Sequence, residues 1–173
     1  EDALKYAESK GVLFVKAAGN GSKNIDVVNS YPNKYYNGTL LNNFICVSAT
    51  DYFLNETLKP TWANYGKQNV DLFAPGYLIK TTKSTGGYKR DTGSSMATPM
   101  VAGTASLIMS YYPELSTEKV KEIILNTVDT YDVDVLIDET SGEMKRFSEL
   151  SRSGGILNAY KALKLADSIS TLK

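Results

Sequence analysis

The sequence predicts an α/β fold built on a mainly parallel sheet, and three observations predict it. A helix-spaced opening segment feeds a short unbroken apolar run, Val12-Leu13-Phe14-Val15, the pattern of a helix leading into a strand covered on both faces. Phe44 to Asp51, opening on Phe44-Ile45-Cys46-Val47, reads as a second buried strand. A nearly all-apolar stretch then follows the small residues Gly93-Ser94-Ser95 and continues to Tyr111-Tyr112-Pro113; it is too long for a strand and predicts a helix buried at the centre of a domain. The chain has 173 residues, 42% hydrophobic and 22% charged, enough for one globular core. No repeat, linker or low-complexity segment divides it.

Taken in order, Glu1 to Lys10 sets Ala3, Leu4 and Ala7 on one helical face, and Gly11 is well placed to end that helix. The chain does not begin with Met, and Glu1 is expected inside, or just at the start of, a helix of a longer protein. After the first strand, the small residues Ala17-Ala18-Gly19 leave room for a close approach to the backbone. Asn20 falls at the strand's carboxyl end, where open α/β sheets bind ligands; Asn20-Gly21 is equally an ordinary turn. The aromatic–proline step Tyr31-Pro32 predicts a cis peptide. Cys46, the single cysteine, excludes an internal disulfide and sits mid-strand as an inert core thiol.

Leu78 to Thr82 and Tyr88 to Asp91 predict a hairpin around Gly86-Gly87 that delivers Ser95. Beyond the central helix, Ser116 is an N-cap, and Val120, Ile123, Ile124 and Thr127 give the next helix one apolar face. Asp129 to Phe147 predicts a peripheral hairpin around Ser141-Gly142. Ser153-Gly154-Gly155-Ile156-Leu157-Asn158 leads into a last amphipathic helix, Ala159 to Ser168.

Charge narrows the function classes. Nineteen basic and nineteen acidic residues cancel, which suggests no nucleic-acid or membrane-surface partner. No apolar run reaches the length of a membrane span. The chemistry-bearing residue is Ser95. A hydroxyl at the mouth of a helix lies where backbone N–H groups lack partners and the macrodipole is positive, a spot that favours the negative charge developed in acyl transfer to serine.

Thr92-Gly93-Ser94-Ser95-Met96-Ala97-Thr98-Pro99-Met100-Val101-Ala102-Gly103 resembles the nucleophile segment of subtilisin-like serine peptidases, Gly-Thr-Ser-Met-Ala-(Ser/Thr)-Pro-x-Val-Ala-Gly. Ser94 stands where Thr is common and Met100 where His is common. Ala18-Gly19-Asn20, Trp62-Ala63-Asn64-Tyr65-Gly66, Val70 to Gly76 and Gly155 to Ala159 resemble further segments of the family, and a similar Tyr-Pro lies near its substrate pocket. The resemblance covers nearly the whole chain, but only somewhat more than the C-terminal half of a family catalytic domain. It implies a three-layer subtilisin-like fold, incomplete at the N-terminus, with residues 1–173 forming one truncated domain. It makes Ser95 the nucleophile and Asn20 the side-chain donor to the oxyanion, with Ser94 counted among the substrate-binding residues and supporting Asn20 through its hydroxyl. Ala17, Ala18 and Gly19 become the wall of the pocket for the residue before the scissile bond. The substrate implied is a protein or peptide, and the setting implied is extracellular or the cell envelope.

The chain contains no histidine, so the ordinary general base for a serine is absent from it. Triad order separates the readings. An α/β-hydrolase, suggested by the elbow-like Gly93-Ser94-Ser95-Met96-Ala97, needs a His after its serine, and none exists. The subtilisin order, Asp then His then Ser, puts both partners upstream of Glu1, so the expected partner is an N-terminal part of the same catalytic domain and the 173 residues alone are expected to be inactive. A Ser-Lys dyad using Lys89 or Lys83 and a non-catalytic peptide-binding domain are the alternatives. No cofactor is required. Calcium is frequent in the family, but no stretch here carries a dense carboxylate loop, and Asp26, Asp51 and Asp71 stand isolated; no metal ligands are assigned. Sequons occur at Asn20, Asn37 and Asn55.

Overall fold

The computed structural model describes residues 2–171, so the expectation for Glu1 lies outside the described residues. Helix α1 (Asp2–Ser9) buries Leu4. It ends on Gly11 at φ +66°, with the Val12 N–H donated to Ala7 O and the Gly11 N–H to Glu8 O, both 3.0 Å. These two bonds satisfy carbonyls of the last turn, and the left-handed step falls on the residue that pays no Cβ penalty for it.

Strand β1 (Phe14–Ala17) starts two residues later than the apolar run and is half-buried along its length. The expectation of a strand covered on both faces is not met. β1 forms one edge of the sheet, and Val12 is exposed. Next, β2 (Tyr35–Tyr36) and β3 (Thr39–Leu40) pair around Asn37-Gly38, both at positive φ, as a two-residue hairpin turn requires. β4 (Phe44–Thr50) is buried at every position, Ser48 and Thr50 included, as expected of a buried strand. β5 (Leu72–Pro75) follows, and β6 (Ile79–Thr82) and β7 (Tyr88–Asp91) make the expected antiparallel hairpin into helix α2 (Ser94–Tyr111).

Helix α3 (Thr117–Asn126) carries the expected cap, Ser116 Oγ accepting the Lys119 N–H at 3.2 Å, and buries Val120, Ile123 and Ile124. β8 (Asp129–Thr130), β9 (Asp134–Asp138), β10 (Glu143–Arg146), a 3₁₀ turn at Phe147–Glu149, β11 (Gly155–Ile156) and α4 (Ala159–Ser170) complete the chain.

The main sheet runs β1-β4-β5-β11-β8. β1, β4, β5 and β11 are mutually parallel and β8 is antiparallel, giving the mainly parallel α/β architecture expected. Alternation divides β4 and β5 between two cores. Ile45, Val47, Ala49, Leu72 and Ala74 face α2, α3 and α4. Phe44 and Cys46 face a cluster with Leu4, Ile25 and Val70, while Phe73 packs with Phe147, Val135 and Ile137 from the β9–β10 region. The β9–β10 hairpin therefore caps the second face of the sheet as well as forming its periphery.

Helix α2 departs from expectation. Ser94, Ala97, Val101, Thr104, Ala105 and Ile108 are buried, but Pro99, Gly103, Ser106, Leu107 and Ser110 lie exposed along the opposite side. Its apolar composition all round is matched by one packed face only, because no described element covers the other. The Tyr31–Pro32 peptide is cis, as the sequence predicts. Among the described residues, no helix is long and apolar enough to cross a membrane.

Candidate active site

The site forms where the carboxyl end of β1 meets the N-terminus of α2. Ser95 is the second residue of α2 and is exposed. Gly93 caps the helix with no side-chain bond, the Met96 N–H turns back to Gly93 O at 2.9 Å, and among the described residues no group accepts the Ser95 N–H. That leaves an unpaired donor beside the Ser95 hydroxyl at the positive end of an 18-residue helix.

Asn20 is exposed and held from behind. Its Oδ1 accepts the Ser94 N–H and the Ser94 hydroxyl, each at 2.9 Å, and Ser94 Oγ in turn accepts the Gly19 N–H at 3.0 Å. With Oδ1 committed, Asn20 offers Nδ2 as its free donor. Gly93 gives it room: a Cβ there would stand 3.0 Å from Nδ2. Ser94, read from the sequence as substrate-binding, is fully buried and turned onto Gly19 and Asn20, so its hydroxyl positions rather than touches. Ala18 is likewise buried, whereas Ala17 and Gly19, close to Asn20 in the chain, are half-buried.

A further organiser, Asn64, carried no role in the sequence reading. Its Oδ1 accepts the Gly21 and Lys23 N–H groups, both at 2.9 Å, and its Nδ2 donates to Ala18 O at 2.8 Å. The loop after β1 is thus clamped on both sides of Asn20. A Cβ on Gly19, whose φ is +100°, would fall 2.6 Å from Asn64 Nδ2, so glycine is required there twice over. An amide in a largely apolar segment, Trp62-Ala63-Asn64-Tyr65, was the available signal.

The other polar groups are engaged elsewhere. Lys89 pairs with Asp91 at 2.7 Å, and that ammonium, with the Thr92 N–H, holds the Asp91 carboxyl below its ordinary pKa. Neither Lys89 nor Lys83 hydrogen-bonds Ser95. Cys46 is buried, and desolvation pushes its thiol up to about 12, which keeps it protonated and inert. Asp26 accepts the Gln68 and Asn69 N–H groups, Asp51 accepts that of Tyr52, and Asp71 is buried against Lys34 and the Cys46 N–H. Each of these carboxylates is already occupied by donors, and among the described residues no cluster of three or more His, Cys, Asp or Glu could hold a metal.

Known proteins resemble this chain in sequence and in fold. A family model, that of the subtilase family, matches residues 1–154. Thermitase of Thermoactinomyces vulgaris is 34% identical over 164 residues, 95% of this chain and 48% of that protein. Subtilisin Savinase of Lederbergia lenta is 36% identical over 128 residues, 73% of this chain and 42% of that protein. Among solved structures, patellamide maturation protease PatA superposes with a TM-score of 0.67 at 27% identity, covering 96% of this chain and 56% of that one. The A-subunit of an AB5 toxin from E. coli reaches 0.71 at 22% identity, over 94% of this chain and 54% of that one, a likeness of fold. The chain spans about half, or less, of the length of these two curated relatives. By sequence match and by fold, this chain belongs to the subtilase family of serine peptidases.

Proposed function

We propose that this chain is the C-terminal part of a serine endopeptidase catalytic domain and supplies its nucleophile and oxyanion cradle. The observation that carries the reading is the tethered amide of Asn20, whose carbonyl end is fixed by Ser94 while its N–H end stays free beside the exposed Ser95. Ser95 Oγ attacks the peptide carbonyl and gives its proton to a base. The carbonyl oxygen gains the negative charge and is met by the Ser95 N–H and Asn20 Nδ2. Collapse expels the amine, which takes the proton, and water then hydrolyses the acyl-serine by the same steps in reverse order.

The base is a histidine oriented by an aspartate, both contributed from upstream of Glu1. Three features support that source: the sequence has no histidine, the outer edge of β1 is unpaired among the described residues, and the Pro99–Gly103–Leu107 side of α2 lies uncovered. The substrate is a protein or peptide, with no cofactor required, and the setting is extracellular or the cell envelope by analogy with the family.

Fluorophosphonate labelling tests the reading. The full-length protein labels at Ser95 and its Ser95→Ala variant does not, while residues 1–173 alone label weakly. A full-length protein that stays unlabelled is a peptide-binding domain instead, and strong labelling of the 173 residues alone would revive a base within this chain.

A further inference from the structure

Beyond Ser95 on the side away from β1 lies an exposed aromatic cluster that the mechanism does not use. Tyr52 and Phe53 follow β4, with ring centroids 4.6 Å apart, and Tyr77 follows β5, its ring 5.9 Å from that of Tyr52. Tyr52 is 62% exposed, Phe53 54% and the adjacent Leu54 61%. Three large apolar side chains in succession cost solvation without contributing to the core, and exposed apolar patches of this kind mark interaction sites. The cluster is fixed to the nucleophile turn. The Gly93 N–H donates to Gly76 O at 2.8 Å, and the Leu78 N–H donates to Thr92 Oγ1 at 3.0 Å. The ends of β4 and β5 therefore continue directly from the turn that carries Ser95.

Beside the cluster stands the β6–β7 hairpin, exposed from Thr82 to Arg90. Residues 77–91 hold Lys80, Lys83, Lys89 and Arg90 against one acid, Asp91, in a chain with no net charge overall. Lys80 lies over the Tyr88 ring, 4.7 Å from its centroid. An apolar platform thus adjoins a basic hairpin, and both continue the surface of the candidate active site.

We propose that the Tyr52–Phe53–Tyr77 cluster and the basic β6–β7 hairpin form an accessory surface that binds the leaving-group side of a polypeptide substrate, favouring an apolar side chain next to acidic residues. The inference rests on the peptidase reading for its polarity. Asn20 and the Ala17–Gly19 wall stand at the end of β1, the cluster stands at the ends of β4 and β5, and the Gly93–Ser94 turn bonds to both sides. A chain whose acyl side lies on the wall is carried past Ser95 toward the aromatic rings. The rings supply large contact area at small cost in conformational entropy, and the hairpin supplies attraction to acidic segments that weakens with salt.

The test uses the full-length protein and two substrates with identical acyl sides. One ends in a p-nitroanilide leaving group; the other continues for eight leaving-side residues containing Phe and Leu flanked by Glu. Tyr52→Ser/Phe53→Ser and, separately, Lys80→Glu/Lys83→Glu raise KM for the long peptide by about tenfold with kcat little changed, and leave the anilide untouched. An unchanged KM in both variants, or equal loss on both substrates, overturns the proposal. If the wild type cleaves neither substrate, the peptidase reading fails, and anisotropy with the fluorescein-labelled long peptide decides: weaker binding by both variants supports the surface, and equal binding overturns it.

Discussion

Asn20 and Ser94, 74 positions apart in the chain, are joined by two hydrogen bonds that both end on one atom, Asn20 Oδ1. Turning the amide over would set its NH₂ against the Ser94 backbone N–H, donor against donor. Its orientation is therefore settled before any substrate arrives, which is the preorganisation an oxyanion site needs.

Ser94→Ala in the full-length protein leaves the Gly19 N–H without its acceptor and removes one of the two ties on Asn20. Stability measured by urea unfolding falls by about 1–3 kcal/mol, and kcat falls with KM little changed; Ser94→Thr keeps both properties. Asn20→Ala lowers kcat by on the order of a hundredfold, the scale on which loss of one oxyanion donor acts in serine peptidases of this family.

Gly19→Ala meets Asn64 Nδ2 and a φ that alanine adopts only with strain. The variant is destabilised by about 1–3 kcal/mol. Its kcat falls as well, because the backbone N–H that reaches Ser94 Oγ must move. An unchanged unfolding midpoint would show that the loop yields freely.

Lys59 is fully buried with no carboxylate beside it; its ammonium donates to Pro60 O at 2.9 Å and Thr61 O at 3.3 Å and lies over the Tyr65 ring. Burial pulls its pKa down from 10.5 to about 8. Between those values the unfolded chain binds more protons than the folded one, so this group's contribution to stability rises as pH climbs from about 8 toward 10.5 and is flat below. The difference in unfolding free energy between wild type and Lys59→Met, followed from pH 7 to pH 10.5 (a range bracketing those values), therefore shifts in favour of the wild type.

The buried pair Lys34–Asp71, 3.2 Å apart, ties the segment after the Tyr31–Pro32 bond to the start of β5, with Lys34 also donating to Gln68 O. Asp71→Ala strands an ammonium and the Cys46 N–H, and costs about 3–5 kcal/mol. Lys34→Met/Asp71→Ala costs less than the sum of its parts. A double-mutant cycle by chemical denaturation reads the coupling, and additive costs would mean the two charges are solvated independently.

Local signals carried much of this architecture. β4 was legible because it opens on four successive apolar residues, Phe44 to Val47. The β6–β7 hairpin, the Ser116 cap and the glycine stop of α1 were legible because each is written within a few residues. What escaped depends on partners far along the chain. The extent of β1 is set by its register on β4, where Phe14 faces Phe44, rather than by its own run of apolar residues. The Asn37-Gly38 turn was present as a local signal but its flanking strands, two residues each, were too short to declare themselves. Asn64 and Lys34 act on residues 41 to 46 and 34 to 37 positions away, and no periodicity announces such contacts.

The bare rim of β1 has a practical consequence. Its outward N–H and C=O groups form a ready ladder for any extended chain, including a second molecule of the same kind. Preparations of residues 1–173 should accordingly self-associate as their concentration rises, and a short β-forming peptide that occupies the rim should keep them monomeric.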